Sequence, residues 1–541
     1  MALAGSLLMW AAQPPLALGW LGWLAPVPWL WLVRQDTLAG RRHYLTLWFA
    51  AFVFWMAALH WLRLPHPAVY LGWIALSAYL SIYLPLFVGL SRVAVHRLKL
   101  PLWLAAPVIW TGLELARAHV MTGFMMGSLA HTQAKWPIVI QISSLVGEYG
   151  VDFVMILVAA CITCFVFPPR REFSPLPALI VVPLVCWYGG SQLSGESVFT
   201  HPPVRIALIQ GNSLADWKAD AAKQQQIMSE YFELSKQAVA KATLRDNRPI
   251  DLVVWPETMF RSPLVSFDPS ILPTGESRRQ YDEIAAAGPR NLAQLVETLG
   301  ASVMVGIDRI VYLSDPAQNT MPVYQAYNSS VLVDRTGKIL GTYDKFHLVM
   351  FGEYVPFSKW LPFLKRISSL TGAAEAGAGP VALEIGGIFY APSICYETVI
   401  PHVIRQQVAT LDAIGERPDV LVNLTNDAWY WGSSELDMHL ACDVFRAVET
   451  RTPLVVAANG GISAWIDRHG QIRAQSPRLQ PDVILADVEL NRTSPPTVYV
   501  RTGDWFAALC LTCCLFLAII GWRSRRRAST RYPVLSTKYS S

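Results

Sequence analysis

A polytopic helical membrane domain carrying a layered α/β domain is the fold class that this sequence of 541 residues predicts. Three observations predict it. Hydrophobic residues make up 53% of the chain and charged residues only 15%, against about 25% charged in ordinary soluble domains. The apolar excess is concentrated in residues 1 to about 190 and again in 504–522. The roughly 310 residues between them alternate short β-rich runs with helical periodicity.

A membrane span needs roughly 20 apolar residues, and such runs occur near 43–62, 70–91, 102–120, 139–167, 174–190 and 504–522. Residues 1–33 are apolar too and carry Pro14-Pro15 near their centre. They read as a tight hairpin of two short spans, with a single long tilted helix as the alternative. The expectation is about eight spans, seven of them in residues 1–195, and one in 504–522.

Basic residues in short loops mark the cytoplasmic side. Arg34, Arg41 and Arg42 form one cluster, and Arg92, Arg97 and Lys99 follow two spans later. Arg170 and Arg171 follow two spans after that, and Arg523, Arg525, Arg526 and Arg527 stand after the last span. All four clusters fall on one side, so the domain at 196–503 emerges on the opposite face and the tail at 523–541 stays in the cytoplasm. The net charge of +5 comes largely from these loops and the tail. With no basic stripe elsewhere, nucleic-acid binding is not expected.

Within 196–503, "VRIALIQGN", "DLVVWPET", "SVMVGIDRI", "SSVLVDRTG", "IFYAPSICYE", "DVLVNLTND" and "PLVVAANG" read as strands. Most are continuous apolar runs, as a sheet covered on both faces requires. Helical patterns lie at about 214–243, 284–300 and 437–451, and the alternation predicts a layered sandwich. "VDRTGKILGTYDK" and "IDRHGQIRAQ" each read as a hairpin with glycine in the turn.

Six of the eight cysteines lie in apolar runs, which excludes a disulfide framework. Cys161 and Cys164 are spaced as C-x-x-C, but in "VAACITCFVF" a zinc site would have no polar surroundings. Cys442 has the setting of a packed helix residue. Cys395 stands instead at the end of a strand, as do Glu257 in "VVWPETMF" and Lys345 in "TYDKFHLVMFGEYVP". A carboxylate can take a thiol proton, and a lysine can stabilise a thiolate and then an oxyanion. Singly, each residue reads as core or surface; together they describe a nucleophilic site. His439 reads as a polar helix residue, because no second His or Cys stands at ligand spacing. Glu114 is costly inside a span, and Arg117 three residues later offers it an ion pair.

"WPE", "DK" followed by "FGEYVP", and the "CYE" elbow, in the order Glu, Lys, Cys, resemble the nitrilase superfamily of carbon–nitrogen hydrolases. With spans before and after that domain, the whole chain resembles the superfamily's membrane-bound branch, the apolipoprotein N-acyltransferases. "TGF" at 122–124, "GEYGV" at 147–151, "QGN" at 210–212, "NLTNDAW" at 423–429, "NGGISA" at 459–464 and "RTGDW" at 501–505 stand in that family's order. Met350 departs from it, standing where the family usually has proline before "FGE".

The resemblance implies a nitrilase-like αββα sandwich, with Glu257 as general base, Lys345 as oxyanion stabiliser and Cys395 as nucleophile. It implies supporting or substrate-binding roles for Glu353, Tyr396, Glu397 and Trp217, and neither metal nor cofactor. The implied reaction moves an acyl chain from a membrane phospholipid, with phosphatidylethanolamine as the donor the family implies, through a cysteine thioester. The acceptor is the α-amine of an S-diacylglyceryl-cysteine at the N-terminus of an apolipoprotein. The implied location is the bacterial inner membrane, with the catalytic domain periplasmic. Two other readings stand beside it: a membrane-anchored amidase or nitrilase using the same triad, and a transporter or lipid-binding scaffold with a decayed enzyme domain. The stretch "FSKWLPFLKRISSLTGAAEAGAG", 357–379, interleaves aromatic and basic residues and reads as an amphipathic lid or as a helix packed on its own domain.

Overall fold

The computed structural model describes residues 1–36, 38, 40–67, 69–167, 175–194, 202–215, 220–273, 275–314, 323–350, 352–354, 374–490, 492 and 494–531. Among these residues, twelve strands build two six-stranded mixed sheets. The first holds β1 (Val204–Gln210), β2 (Leu252–Phe267), β3 (Ser302–Leu313), β4 (Val323–Val333) and β5 (Ile339–Asp344), with β12 (Asp482–Val488) on the free edge of β1. β1, β2 and β3 run parallel, connected by the helices Ala221–Asp246 and Glu276–Leu299. The second sheet holds β6 (Leu383–Ile385), β7 (Ile388–Ile394), β8 (Val420–Asn426), β9 (Leu454–Asn459), β10 (Ala464–Ile466) and β11 (Ile472–Gln475). Here β7, β8 and β9 are the parallel strands, connected by Pro401–Ala413 and Glu435–Thr450.

Side chains alternate faces along a strand, and both faces are apolar. Ile206, Leu208, Leu252 and Val254 meet Val420, Val422, Leu424 and Val455 between the sheets. Ala207, Ile209, Val253 and Trp255 face the other way, under Ile227, Tyr231 and Leu234 of the first connecting helix. Burying a Val, Leu or Ile side chain contributes about 1.5–3 kcal/mol, so continuous apolar strands specify a four-layer helix–sheet–sheet–helix sandwich. Both expected hairpins are present, as the β4–β5 and β10–β11 pairs.

Much of the outer face of the fourth layer is covered. Val403, Val444 and Val448 from the helices on the second sheet share one apolar core with Phe124, Met126 and Ile140 from the N-terminal part of the chain. The sandwich therefore rests on the helical domain through a layer that belongs to both.

Among the described residues, four helices are long and apolar enough to cross a membrane: Val69–Arg97, Tyr149–Val166, Leu176–Ser194 and Trp505–Arg523. Arg41–Ala58 and Leu102–His119 have 18 residues each but carry charged residues within that length. Two of the apolar runs differ in helix length from the spans expected of them. Residues 1–33 form neither one long helix nor two full crossings: helix Ala2–Ala12 ends just before Pro14-Pro15, and the next α-helix is the short Val27–Arg34. Proline supplies no N–H to continue a helix; at ~1.5 Å per residue neither piece covers roughly 30 Å of hydrocarbon. The run at 139–167 is broken at Gly147, whose φ of 73° suits glycine, and only Tyr149–Val166 continues as a long helix.

The bundle has two distinct ends. Arg34 Nη1 donates to Phe167 O at 2.8 Å, Arg92 Nη1 to Val33 O at 3.0 Å and Arg97 Nη1 to Gly521 O at 3.5 Å, which gathers the ends nearest the four basic clusters. At the other end, Glu148 and Gln141 bond to Glu449 and His469 of the sandwich. Helix Trp505–Arg531 closes the bundle against Leu102–His119 at Gly112, where a Cβ would lie 2.7 Å from the Cys510 carbonyl carbon. The Glu114 and Arg117 side chains form a buried ion pair in that helix.

Candidate active site

Glu257 is placed by a break in β2. The β2–β3 register shifts between Trp255 and Phe260, Thr258 has φ 52°, and such a bulge re-aims the side chains around it. Gly306 on β3 makes room: a Cβ there would lie 2.4 Å from Pro256 O and 2.6 Å from Glu257 Cα. Trp255, fully buried with its indole N–H donating to Ser235 Oγ at 2.8 Å, anchors the strand just before the bulge. Glu257 is 8% exposed; its Oε1 accepts from Asn328 Nδ2 at 2.6 Å and its Oε2 from the Asn426 N–H at 3.0 Å.

Lys345 follows the last residue of β5. Its N–H donates to Asn328 O at 2.9 Å, and its carbonyl accepts from Gly377 N at 2.9 Å, so the backbone is held on both sides. The ammonium is 2.8 Å from Glu353 Oε1 and 3.9 Å from Glu257 Oε1. Glu353 Oε2 accepts from the Val349 N–H at 2.8 Å, which closes the intervening loop on itself. Burial alone would lower the lysine, but Glu353 and then Glu257 raise it above its usual value, so it stays charged. Burial pushes the Glu257 carboxyl above its ordinary range; Lys345 opposes this and Glu353 adds to it.

Cys395 stands where β7 gives way to a short helical turn, Cys395–Val399, and has φ 54°. A non-glycine residue in that region carries about 1–3 kcal/mol of strain, and the bend turns the thiol out of the strand, as at a nucleophile elbow. Burial pushes the thiol well above its ordinary value, Glu257 adds to this and Lys345 opposes it. The resting site therefore holds a protonated thiol beside a carboxylate and an ammonium. Glu397, fully buried, fixes the elbow to the lysine loop. Its Oε1 accepts from the N–H groups of Phe346 and His347 at 3.1 and 3.0 Å. Its Oε2 accepts from Tyr343 OH and the Ile394 N–H at 2.7 Å each. Four donors use the lone pairs of both oxygens, which makes Glu397 a clamp and leaves nothing for a substrate.

Tyr396 points to the helical domain. Its hydroxyl donates to Gly123 O at 2.7 Å, and its ring lies near Phe124 and stacks on His347. A His347 ring nitrogen is 3.1 Å from Thr122 O. The "TGF" stretch thus forms the floor beside the elbow.

The structure brings Glu257, Lys345, Glu353, Cys395, Tyr396 and Glu397 to one edge of the sandwich. Trp217 and most of the stretch 357–379 lie outside the described residues. Cys442 is fully buried in helix Glu435–Thr450, with its Sγ 3.9 Å from His131 Nδ1. His439, a polar residue of the same helix, is 2% exposed and bonded beneath the elbow. Asn328, which spans Glu257 and Glu353, carries no signal in a strand of mixed residues. Thr425 and Asp427 lie inside "NLTNDAW", whose polar Asn423 and the run 425–427 interrupt an apolar strand and could have drawn attention to them.

Residues 5–161 match the apolipoprotein N-acyltransferase N-terminal domain, and residues 205–495 match carbon-nitrogen hydrolase. The apolipoprotein N-acyltransferase of Rhodopirellula baltica is 31% identical over 97% of this chain and 97% of its own length. That of Geobacter metallireducens is 31% identical over 93% of this chain and 92% of its own. Among solved structures, an amidase of the nitrilase superfamily from Nesterenkonia sp. AN1 is 18% identical with a TM-score of 0.36, covering 56% of this chain and 95% of that one.

Proposed function

The chain belongs to the apolipoprotein N-acyltransferase family, and on that premise we propose that it moves an acyl chain from a membrane phospholipid to the N-terminal amine of a lipoprotein through a thioester on Cys395. The observation that carries this reading is the bond from Tyr396 OH to Gly123 O: the residue after the nucleophile is tied to the end of a membrane helix. A site there reaches substrates whose acyl chains stay in the bilayer. That location favours lipid acylation over hydrolysis of a soluble amide, for which one anchoring helix would suffice.

In the first half-reaction the Cys395 sulfur attacks the ester carbonyl as Glu257 takes the thiol proton. A base is needed because the thiol is protonated at rest. Lys345 stabilises the tetrahedral oxyanion, and Glu353 holds its ammonium in place. The C–O bond then breaks, the lysophospholipid oxygen takes the proton from Glu257, and the acyl chain remains as a thioester. In the second half-reaction the α-amine of the diacylglyceryl-modified cysteine attacks that thioester. Its proton passes through Glu257 to the departing Cys395 sulfur, and an amide results. Phosphatidylethanolamine is the proposed donor. No metal and no cofactor enters this scheme.

The proposed setting is the bacterial inner membrane. Residues 1–195 form the N-terminal helical domain, 196–503 the periplasmic catalytic domain, 504–522 the last crossing and 523–541 a cytoplasmic tail. The eight expected passes reduce to six helices, the four long apolar ones together with Arg41–Ala58 and Leu102–His119, and the broken pair within 1–34. The gathering of the basic ends opposite the sandwich supports this orientation. Fusions of a periplasm-active reporter after Ser197 and a cytoplasm-active reporter after Ser541 should both be active; the reverse pattern would remove the lipoprotein reading.

The test of the reaction is intact-protein mass after incubation in detergent with a defined phospholipid and no acceptor. One hydroxylamine-labile acyl chain on Cys395 is expected, with release onto a diacylglyceryl-cysteine peptide when that is added. Transfer activity in Cys395→Ala, or an acyl group on Cys442, would overturn the assignment.

A further inference from the structure

Cys395 is held at both ends by a chain of side chains that the scheme above does not use. Thr425 lies close enough to the thiol to favour its ionised form, and its hydroxyl donates to Asp427 Oδ1 at 2.6 Å. That same oxygen is 3.4 Å from His439 Nδ1, and His439 Nε2 is 3.2 Å from the Cys395 carbonyl oxygen and 3.2 Å from Thr398 Oγ1. The arc therefore runs from the sulfur, through Thr425, Asp427 and His439, back to the main chain of the same residue.

The protonation of His439 follows from this geometry. Nε2 must carry a hydrogen to bond the Cys395 carbonyl. A bare Nδ1 would then turn its lone pair toward Asp427 Oδ1 and toward Glu435 Oε1 at 3.8 Å, a repulsive arrangement that a second hydrogen turns into two attractions. The titratable groups facing the ring are Asp427 after β8, and Asp443 and Glu435 on its own helix, the last held well above the ordinary carboxylate range by burial and Asp427; Asn423 of β8, at 3.5 Å, is neutral. Burial lowers His439, but Asp427 first, with Asp443 and Glu435 behind it, outweighs that and raises it to about 10. Asp427 in turn lies close enough to the thiol to disfavour its ionisation.

We propose that His439 is a positioning residue for acyl transfer: as an imidazolium it holds the carbonyl of the strained Cys395 elbow and offsets the Asp427 charge beside the thiol. Removing the imidazolium has two effects on the reaction. The elbow loses the bond that fixes its carbonyl, and Asp427 is left with less compensation, so the thiolate forms at higher pH. Substrate contacts are untouched, because His439 lies behind the elbow, buried among its own helix and β8.

The proposal rests on Cys395 being the nucleophile, and the readout is chosen to be independent of acyl transfer. The rate of iodoacetamide alkylation at Cys395, followed by peptide mass in detergent-purified protein between pH 6 and 11, reports the thiol directly. His439→Gln should raise the midpoint of that profile by about one unit. It should also slow acyl-enzyme formation about 10- to 100-fold with little change in KM for phospholipid. Asp427→Asn in the His439→Gln background removes the uncompensated charge and should bring the midpoint back to the wild-type value, while acyl-enzyme formation stays slow. An unchanged midpoint in folded His439→Gln, or failure of the double variant to restore it, would overturn the proposal. Asp427, Glu435 and His439 also offer ligand atoms within 4.8 Å of one another. Elemental analysis is therefore part of the test: one divalent ion per wild-type chain, lost in His439→Gln, would make His439 a ligand and overturn the positioning role.

Discussion

The Asn426 N–H donates to Glu257 Oε2 at 3.0 Å, so a strand of the second sheet orients the carboxylate supplied by the first. Glu257 and Lys345 come from the first sheet, and Cys395 from the second. The site exists only when the two sheets are packed, and sheet packing errors translate directly into lost chemistry.

Substitution of either charged partner tests that arrangement. Glu257→Gln removes the proton acceptor and Lys345→Met the oxyanion partner. Each should slow acyl-enzyme formation about 100-fold or more, whereas Cys442→Ala should leave it intact. Glu257 acts as base only when ionised, and its carboxyl is held above the ordinary range. The acid limb of the acylation rate should therefore lie above pH ~4.5, as single-turnover measurements across pH 4 to 8 would show.

Gly306→Ala should be nearly as damaging as loss of the base itself. Its Cβ meets the backbone at Pro256 and Glu257, which can yield only by moving the bulge that aims the carboxylate. A fall of at least 10-fold in acylation is expected from a misplacement of that size, with a lowered unfolding temperature. Wild-type rates in this variant would show that the bulge does not position Glu257.

Glu397→Gln places an amide N–H₂ among four donors. At least one buried donor then loses its acceptor, a change that costs about 1–3 kcal/mol. Thermal unfolding in detergent should drop, and acylation should slow at unchanged KM, because the lysine loop and the elbow are no longer joined.

Stability should fall as pH rises. His439 is raised to about 10 by Asp427 and its neighbouring carboxylates against the effect of burial, and Asp443 to about 6 by burial. Both groups bind their proton more tightly folded than unfolded, where the usual values are ~6.5 for histidine and ~3.9 for aspartate. The His439 contribution is complete below pH ~6.5 and is lost as pH approaches 10; that of Asp443 is lost between ~3.9 and 6. Unfolding temperatures across pH 6.5 to 10 should decline, and decline less steeply in Asp427→Asn.

The sandwich was legible because its strands are apolar on both faces and stop abruptly, and Glu257, Lys345 and Cys395 stand at those stops. What holds them was not. The Asn426 N–H and the Gly123 carbonyl are main-chain groups that any residue could offer, and Asn328 acts through a fold contact with no local pattern. The break at Gly147 escapes a sequence reading for a related reason. An apolar composition tells that a segment avoids water, whereas the length of its helix depends on where the backbone can continue its hydrogen bonds.

The close approach of Gly112 to Cys510 has a consequence for biogenesis. The groove on helix Leu102–His119 and the helix that fills it are separated by about 400 residues of sequence. At ~5–20 residues per second of synthesis, the groove stays open for roughly 20–80 s after it enters the membrane. During that interval lipid tails or an insertion chaperone must stand in for a helix not yet made. A chain that terminates before residue 505 keeps the vacant slot permanently, so arrival of the last helix is the step that commits the protein to its assembled form.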